Sequence, residues 1–511
     1  MTDEKDEKKS EASTEKAEEK KPVEKKKKVK DPADTYRLPP SNAVSAAWKT
    51  FAGMGVVGVV GSVIAYSQDP TRFAYSWLFG FICVLSLVIG AILLVLMHHM
   101  ANAHWGVVVR RVAEIFGASS WVLVLLVVPV LLSRGTLFGE WLNGEDKAAP
   151  KAHAALDLQE PPDARLAAND FEQPHGMPHG GMHFQPRGPG AGNPRGGPGF
   201  GPHGMPPGGV HATPSTHHFS TEVEARAEHA EHQEVMASKK WYLNKGFFFA
   251  RMIFYFLVWY LIGFALLKWS SDQDRTKDPM ITVKLARFSM GAVILMAITL
   301  TFAAFDWIMA LDPTWYSTIF GVTFFAGSIV CVFATLILTF LGFRQQGVLA
   351  KEVTVEHYHD LGKLLFGFMC FWAYVCFAQF FLIWYAAIPE EVTFYHHRWD
   401  VGPWKTISLI LIFFHFIFPF IFIMSRNVKR NLGLLRVGAW LLLAMHVIDI
   451  YWLVMPNVPH QSSFAPSWID VVGFLGPVGI FLAVAFRRLT EYPLLPVGDP
   501  RLQRSIHFLN A

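Results

Sequence analysis

The chain has 511 residues, 52% hydrophobic and 14% aromatic, with 45 Lys+Arg against 41 Asp+Glu and a net charge of +4. That charge says little by itself, because it is sorted by location, and it gives no ground for a nucleic-acid partner; with a positive mean hydropathy the composition fits a multi-spanning membrane protein carrying soluble extensions. The four cysteines, Cys83, Cys331, Cys370 and Cys376, lie inside apolar runs and form no CxxC or CxxCH pattern, which argues against an iron–sulfur cluster or covalent haem held by this chain.

Residues 1–44 are a Lys/Glu-rich run that cannot bury enough apolar surface to fold, and they are expected to be a disordered cytoplasmic tail. No apolar h-region precedes the first long run, so no cleaved signal peptide is expected. Ten apolar runs follow, at 45–66, 75–99, 107–133, 246–268, 286–310, 316–342, 362–388, 404–425, 433–455 and 468–487. About 20 apolar residues cross a bilayer core, and in hydrocarbon only a helix satisfies the backbone of such a run. The expected class is therefore all-α, a polytopic membrane protein with ten transmembrane helices. The third run is the weakest, since it opens with Arg110, Arg111 and Glu114.

Spans one to three (45–133) and four to ten (246–488) flank a long loop at 134–245, and residues 489–511 form a second tail. The loop is rich in Pro, Gly and His, and ten of the 21 histidines fall between His153 and His232. Such a tract is either a flexible surface linker or a weak, exchangeable metal binder. Residues 220–240 have helical composition. Alternate short loops differ in charge. One set holds Arg110 and Arg111, then Lys268, Arg275, Lys277 and Lys284, then Arg344, Lys351 and Lys363, then Arg426, Lys429, Arg430 and Arg436, then Arg487 and Arg488. The opposite set holds little beyond Arg72, Arg398 and Lys405. The positive-inside rule then predicts both termini in the cytoplasm and the long loop outside.

Ionisable residues inside spans are costly and are functional candidates by default. His415 stands near the middle of span eight, and His446 near the middle of span nine. Asp449 lies one turn further on, on the same helical face as His446. Three readings stay open for this trio: a proton relay, a b-type haem between facing histidines, and a hydrogen-bond network that only fixes helix packing. Toward the outer face, Arg251 and Asp306 are at matching depth and predict an ion pair. Glu390 and Glu391 end span seven after Pro389 and are either a solvated rim or an exchange point with Asp449. At the inner face, His98 and His99 close span two and His104 follows, while His357, His359, Asp360 and Lys363 stand at the head of span seven. This second group is a candidate for gathering protons, with His357 alternatively a neighbour of the helix cap. Tyr374 and Gln379 are the polar residues between the two groups. The reading gives two half-paths that do not obviously join.

From about Ala46 to Tyr492 the chain resembles the F-subunit family of alternative complex III, a bacterial quinol:cytochrome c oxidoreductase, within the NrfD/polysulfide-reductase-like membrane proteins. The resemblance rests on Phe305-Asp306-Trp307-Ile308-Met309 with Leu311-Asp312-Pro313-Thr314-Trp315-Tyr316-Ser317-Thr318-Ile319-Phe320-Gly321. It rests also on Glu356-His357-Tyr358-His359-Asp360-Leu361-Gly362-Lys363, on Ile383-Trp384-Tyr385-Ala386-Ala387-Ile388-Pro389-Glu390-Glu391, and on His446-Val447-Ile448-Asp449 with Met455-Pro456. It implies two four-helix bundles plus two peripheral helices, and a location in the bacterial inner membrane. It implies a hetero-oligomeric respiratory complex with a paralogous C subunit, an iron–sulfur subunit and c-type cytochromes, with a terminal oxidase as a further partner. Haem c and iron–sulfur clusters would then belong to partners, with menaquinol or ubiquinol as the substrate of the whole complex. In this family the quinol site is attributed to the C paralogue, and the F subunit to proton half-channels and scaffold. The Pro/Gly/His loop looks like an insertion. Other classes remain: a quinol-binding anchor of a polysulfide-reductase-type enzyme, and a stand-alone ion transporter. A transporter would more often show inverted repeats, whereas the mid-span prolines Pro129 and Pro419 do not pair. Moving one charge against the membrane potential takes about 2.3 kcal/mol per 100 mV, a step that buried titratable groups can manage.

Overall fold

The computed structural model describes residues 36–39, 42–142, 234–399, 402–459 and 466–509. Residues 144–239 are a separate unit, of which only the stretch from Glu234 is described, so the His-rich tract and the Lys/Glu tail lie outside the described residues. Regular structure among the described residues is entirely helical. The main helices are α1 (Ala43–Gln68), α2 (Pro70–Met100), α3 (Val107–Ala118), α4 (Val122–Leu132), α5 (Lys245–Thr276) and α6 (Met280–Trp307). They continue with α7 (Phe320–Gln345), α8 (Val355–Ala386), α9 (Pro389–Trp399), α10 (Trp404–Ile410), α11 (Phe418–Met424) and α12 (Arg426–Arg430). The series closes with α13 (Leu432–Val454), α14 (Trp468–Leu489) and α15 (Leu502–Ile506). Nine helices among the described residues are long and apolar enough to cross a membrane, counting α10 to α11 as one. The third predicted run is broken: α3 and α4 meet at 41° across Ser119–Trp121, and the pair makes a tenth crossing only if it is one span. The chain is a multi-pass membrane protein.

Helix α2 is the axis of the assembly. It is buried throughout its apolar stretch and is packed by α3, α4, α6, α7, α13 and α14. A helix apolar on every side is expected only where neighbours or lipid surround it, and here neighbours do. Helix α1 is peripheral. It lies mainly on α14, and its outer face of Val56, Val57, Val60 and Val63 is exposed. The α1–α14 seam is built from glycines, since a Cβ on Gly58 would lie 2.1 Å from the backbone nitrogen of Gly476. Small residues of this kind let backbones approach where no hydrophobic effect drives helices together.

Several predicted boundaries move. Within the stretch read as a tail, 1–44, the described chain begins at Tyr36, whose carbonyl accepts the Leu494 N–H at 2.9 Å. Leu38 is buried, and Asn42 caps α1 through Val44 N–H. Helix α8 begins at Val355, seven residues before the predicted 362, because Thr354 and His357 form a reciprocal N-terminal cap that holds a polar first turn in helix. Glu390 and Glu391 do not end the seventh span: α8 stops at Ala387, which is left-handed (φ 50°), and the two carboxylates open α9. The eighth span is α-helical at both ends but π-helical over Leu411–Ile417. Pro419 follows and has no N–H to give to the carbonyl of residue 415, so the ladder there must re-register.

Polar α3 is buried because charges meet it from elsewhere in the chain. Arg110 binds Glu114 at 2.6 Å and Asp499 at 3.0 Å; Arg111 binds Asp274 at 2.5 Å; Arg501 binds Asp499 at 2.8 Å. Three guanidiniums and three carboxylates balance. Arg110 and Arg111 are therefore interior charges, and the loop-charge asymmetry rests on the other cations.

Candidate functional site

The interior polar cluster is assembled by four helical elements around α2. His446 and Asp449 share one face of α13, as their three-residue spacing requires. His446 Nε2 is hydrogen-bonded to Ser86 Oγ of α2 at 2.9 Å. Gly327 of α7 leaves room beside that imidazole, where an added Cβ would come within 3.1 Å of the ring. Asp449 Oδ2 accepts the indole N–H of Trp372, from α8, at 3.1 Å. The same indole stacks on His415, with ring centroids 3.9 Å apart and planes 30° apart. His415 is 0% exposed and lies in the π turn, which packs against α13 and α8. Neither of its ring nitrogens has a hydrogen-bond partner among the described residues, and the same holds for His446 Nδ1. An imidazole stacked on an indole with both nitrogens unpaired is a costly arrangement in a dry interior.

Trp372 joins Asp449 and His415, two members of the trio that the sequence proposed together, and it was not itself among the candidates. Its signal is spacing: Leu365, Met369, Trp372, Gln379 and Ile383 make the buried face of α8. Tyr374 is a correction. It is 66% exposed and points away from that face, because two residues turn a helix by about 200°. Gln379 is buried, and it accepts from Ser317 Oγ at 3.1 Å and donates to Tyr395 Oη at 3.2 Å. Trp372 and Gln379 are seven residues apart, about 10 Å along the helix. Val375 and Cys376 fill that interval, and no polar side chain of α8 bridges it.

The ion pair expected between Arg251 and Asp306 is present. Arg251 donates to both Asp306 oxygens, at 2.9 and 2.7 Å, and Tyr255 donates to Oδ2 at 2.8 Å. The guanidinium also lies 3.8 Å from the centre of the Tyr242 ring. A second pair of this type escaped the sequence reading. Arg72 donates to both oxygens of Asp470, which also accepts from Ser76 and Tyr451. Arg398, counted only as a loop charge, is buried and donates to the Leu453 carbonyl at 3.0 Å and the Trp452 carbonyl at 3.2 Å, where it caps the end of α13. Glu391 opens α9, and no bond from it to Asp449 is present.

The inner-face candidates do not form one cluster. His357 is spent on structure: Nδ1 meets Thr354, and Nε2 meets the Ser505 carbonyl at 2.9 Å. Asp360 pairs with Lys363 at 2.5 Å on the same helix, and His359 is a buried neighbour. His98 and His99 are buried at the end of α2, and none of their four ring nitrogens is paired among the described residues. Gly106 packs directly on His98, where a Cβ would lie 1.8 Å from Nε2. Below them Asp499 joins Arg110 and Arg501. Burial alone would raise its pKa, but the two guanidiniums prevail and hold it below the usual carboxylate range. No group of three or more His, Cys, Asp or Glu among the described residues is arranged to hold a metal ion. Comparison with protein-family models and with curated proteins yields no match.

Proposed function

We propose that this chain is an integral subunit of a respiratory quinol:electron-acceptor oxidoreductase of the alternative complex III type, in which it handles protons and scaffolds while partners carry electrons. In this reading the fold is NrfD-like, with ten crossings arranged as two four-helix bundles and two peripheral helices. The termini face the cytoplasm of a bacterial inner membrane. The partners are a paralogous C subunit, an iron–sulfur subunit and c-type cytochromes, with menaquinol or ubiquinol oxidised by the assembly.

The observation that carries the proposal is the buried His415–Trp372–Asp449 arrangement beside His446 and Ser86. A scaffold network gains most when every polar atom is paired, and this one leaves three imidazole nitrogens unpaired. Groups that titrate in a low-dielectric interior, with donor and acceptor sites unused, are what a transferred proton needs. Along α8, Lys363 of the inner group and Trp372 of this centre are nine residues apart, about 13 Å, and the residues between them are apolar, an interval that two half-channels would leave.

The test is made in the assembled complex in proteoliposomes. Asp449→Asn and His446→Gln are expected to lower proton release per electron, while the complex still assembles. Unchanged release and turnover in both variants would leave the cluster a packing device. Purification in mild detergent should bring multihaem and iron–sulfur polypeptides with the chain; a colourless single-subunit particle would favour transport instead.

A further inference from the structure

A groove of about 720 Å³ opens at the turn between α5 and α6, far in sequence from the interior cluster. Its walls include Trp269 of α5, Asp278 of the turn, and Met280, Lys284, Arg287 and Phe288 of α6. Lys284 Nζ stands 3.9 Å from the centre of the Trp269 ring, which meets Phe288 edge-on at 5.1 Å. Arg287 follows Lys284 by three residues, so both cations share one face. Neither forms an ion pair among the described residues, and the one carboxylate of the groove, Asp278, accepts the Met280 N–H at 2.8 Å. Lys284 lies in the second turn of α6 and Arg287 in the third, past the helix start where Asp278 meets the positive end of the dipole. The groove thus carries two cations against one carboxylate, and the excess positive charge has no counter-ion among the described residues.

The helix length says where that counter-ion would be. Helix α6 has 28 residues, about 42 Å at 1.5 Å per residue, against a hydrocarbon core of about 30 Å. Centred in the bilayer, it places Lys284 at the edge of the core, and Arg287 is long enough to reach back to the same level. On the core side of that level Met290 and Ile294 of the same helix are exposed apolar residues, which suit acyl chains better than a soluble anion. We propose that this groove binds an anionic diacyl phospholipid, with Lys284 and Arg287 on the headgroup phosphate, Trp269 beside it, and the acyl chains against the apolar wall. Juxtamembrane cations of this kind recognise anionic headgroups.

Full-length protein, delipidated in detergent, is titrated with phosphatidylglycerol or phosphatidylcholine and read by native mass spectrometry. The first phosphatidylglycerol is expected to bind roughly tenfold more tightly than phosphatidylcholine, and millimolar inorganic phosphate should not displace it. Lys284→Gln with Arg287→Gln should abolish the preference, whereas Lys351→Gln with Arg426→Gln should keep it. Equal binding of the two lipids by the native chain, an equal loss in the control pair, or displacement by phosphate alone overturns the proposal. Should the double variant not fold, a photoreactive phosphatidylglycerol on the native chain decides: labelling within residues 269–288 supports the site, and labelling only elsewhere rejects it.

Discussion

Trp372 does two things with one side chain: its ring covers His415, and its N–H binds Asp449. The two roles separate by substitution. Phenylalanine keeps most of the stacking and removes the donor, so Trp372→Phe leaves a buried carboxylate oxygen short of a partner and should destabilise by about 1–3 kcal/mol. Trp372→Ala also opens a cavity, and about 3–5 kcal/mol is expected. Thermal unfolding of the purified protein in detergent ranks the three, with the native chain highest and alanine lowest. Equal midpoints for the native chain and the phenylalanine variant would mean that the indole N–H does not hold Asp449. The sequence marks Tyr374 by its polarity and does not mark Trp372, because polarity alone does not tell which face of a helix a side chain takes. A tryptophan in an apolar span reads as bulk, and only its position on the buried stripe of α8 marks it.

At the scale of elements, span existence was legible because the bilayer demands apolar length, whereas ends and breaks were not. The polar head of α8 reads as loop until the reciprocal cap of Thr354 and His357 is seen. The break between α3 and α4 hides inside one apolar run, and the charges that bury α3 come from Asp274 and Asp499, 160 and more residues away. The outer ion pair of Arg251 and Asp306 was readable from matched depth, yet its twin, Arg72 with Asp470, was not, since Arg72 counted as loop charge and Asp470 opens a span. The glycine seam between α1 and α14 was not read from the sequence and is visible only in the packed helices. Gly58→Val would drive a side chain into the Gly476 backbone, which cannot yield, whereas Gly53 has nothing within 4 Å of an added Cβ. Gly58→Val should therefore lose folded yield in size-exclusion of the detergent-solubilised chain, and Gly53→Val should keep it. Equal yields would show that α1 is free to shift on α14.

At the largest scale, the helical unit holds its own C-terminal segment against α3 and α8. Asp499 ties that segment to Arg110 of α3, the Ser505 hydroxyl donates to the Trp105 carbonyl, and the Ser505 carbonyl meets His357 of α8. Asp499 is the charged part of this clasp. Because its folded pKa is depressed, the stabilisation it gives is fully present above the ordinary aspartate value of about 4, and it is lost only as pH falls through the lower folded value. Hydrogen exchange of residues 493–509 should thus stay protected and flat from about pH 8 to about pH 5. In Asp499→Asn the buried Arg110 and Arg501 lose their shared anion, a defect of roughly 3–5 kcal/mol, and protection should already be low at neutral pH. A native chain whose segment loosens between about pH 7 and about pH 5 would contradict this, because a carboxylate with a depressed pKa does not change charge there.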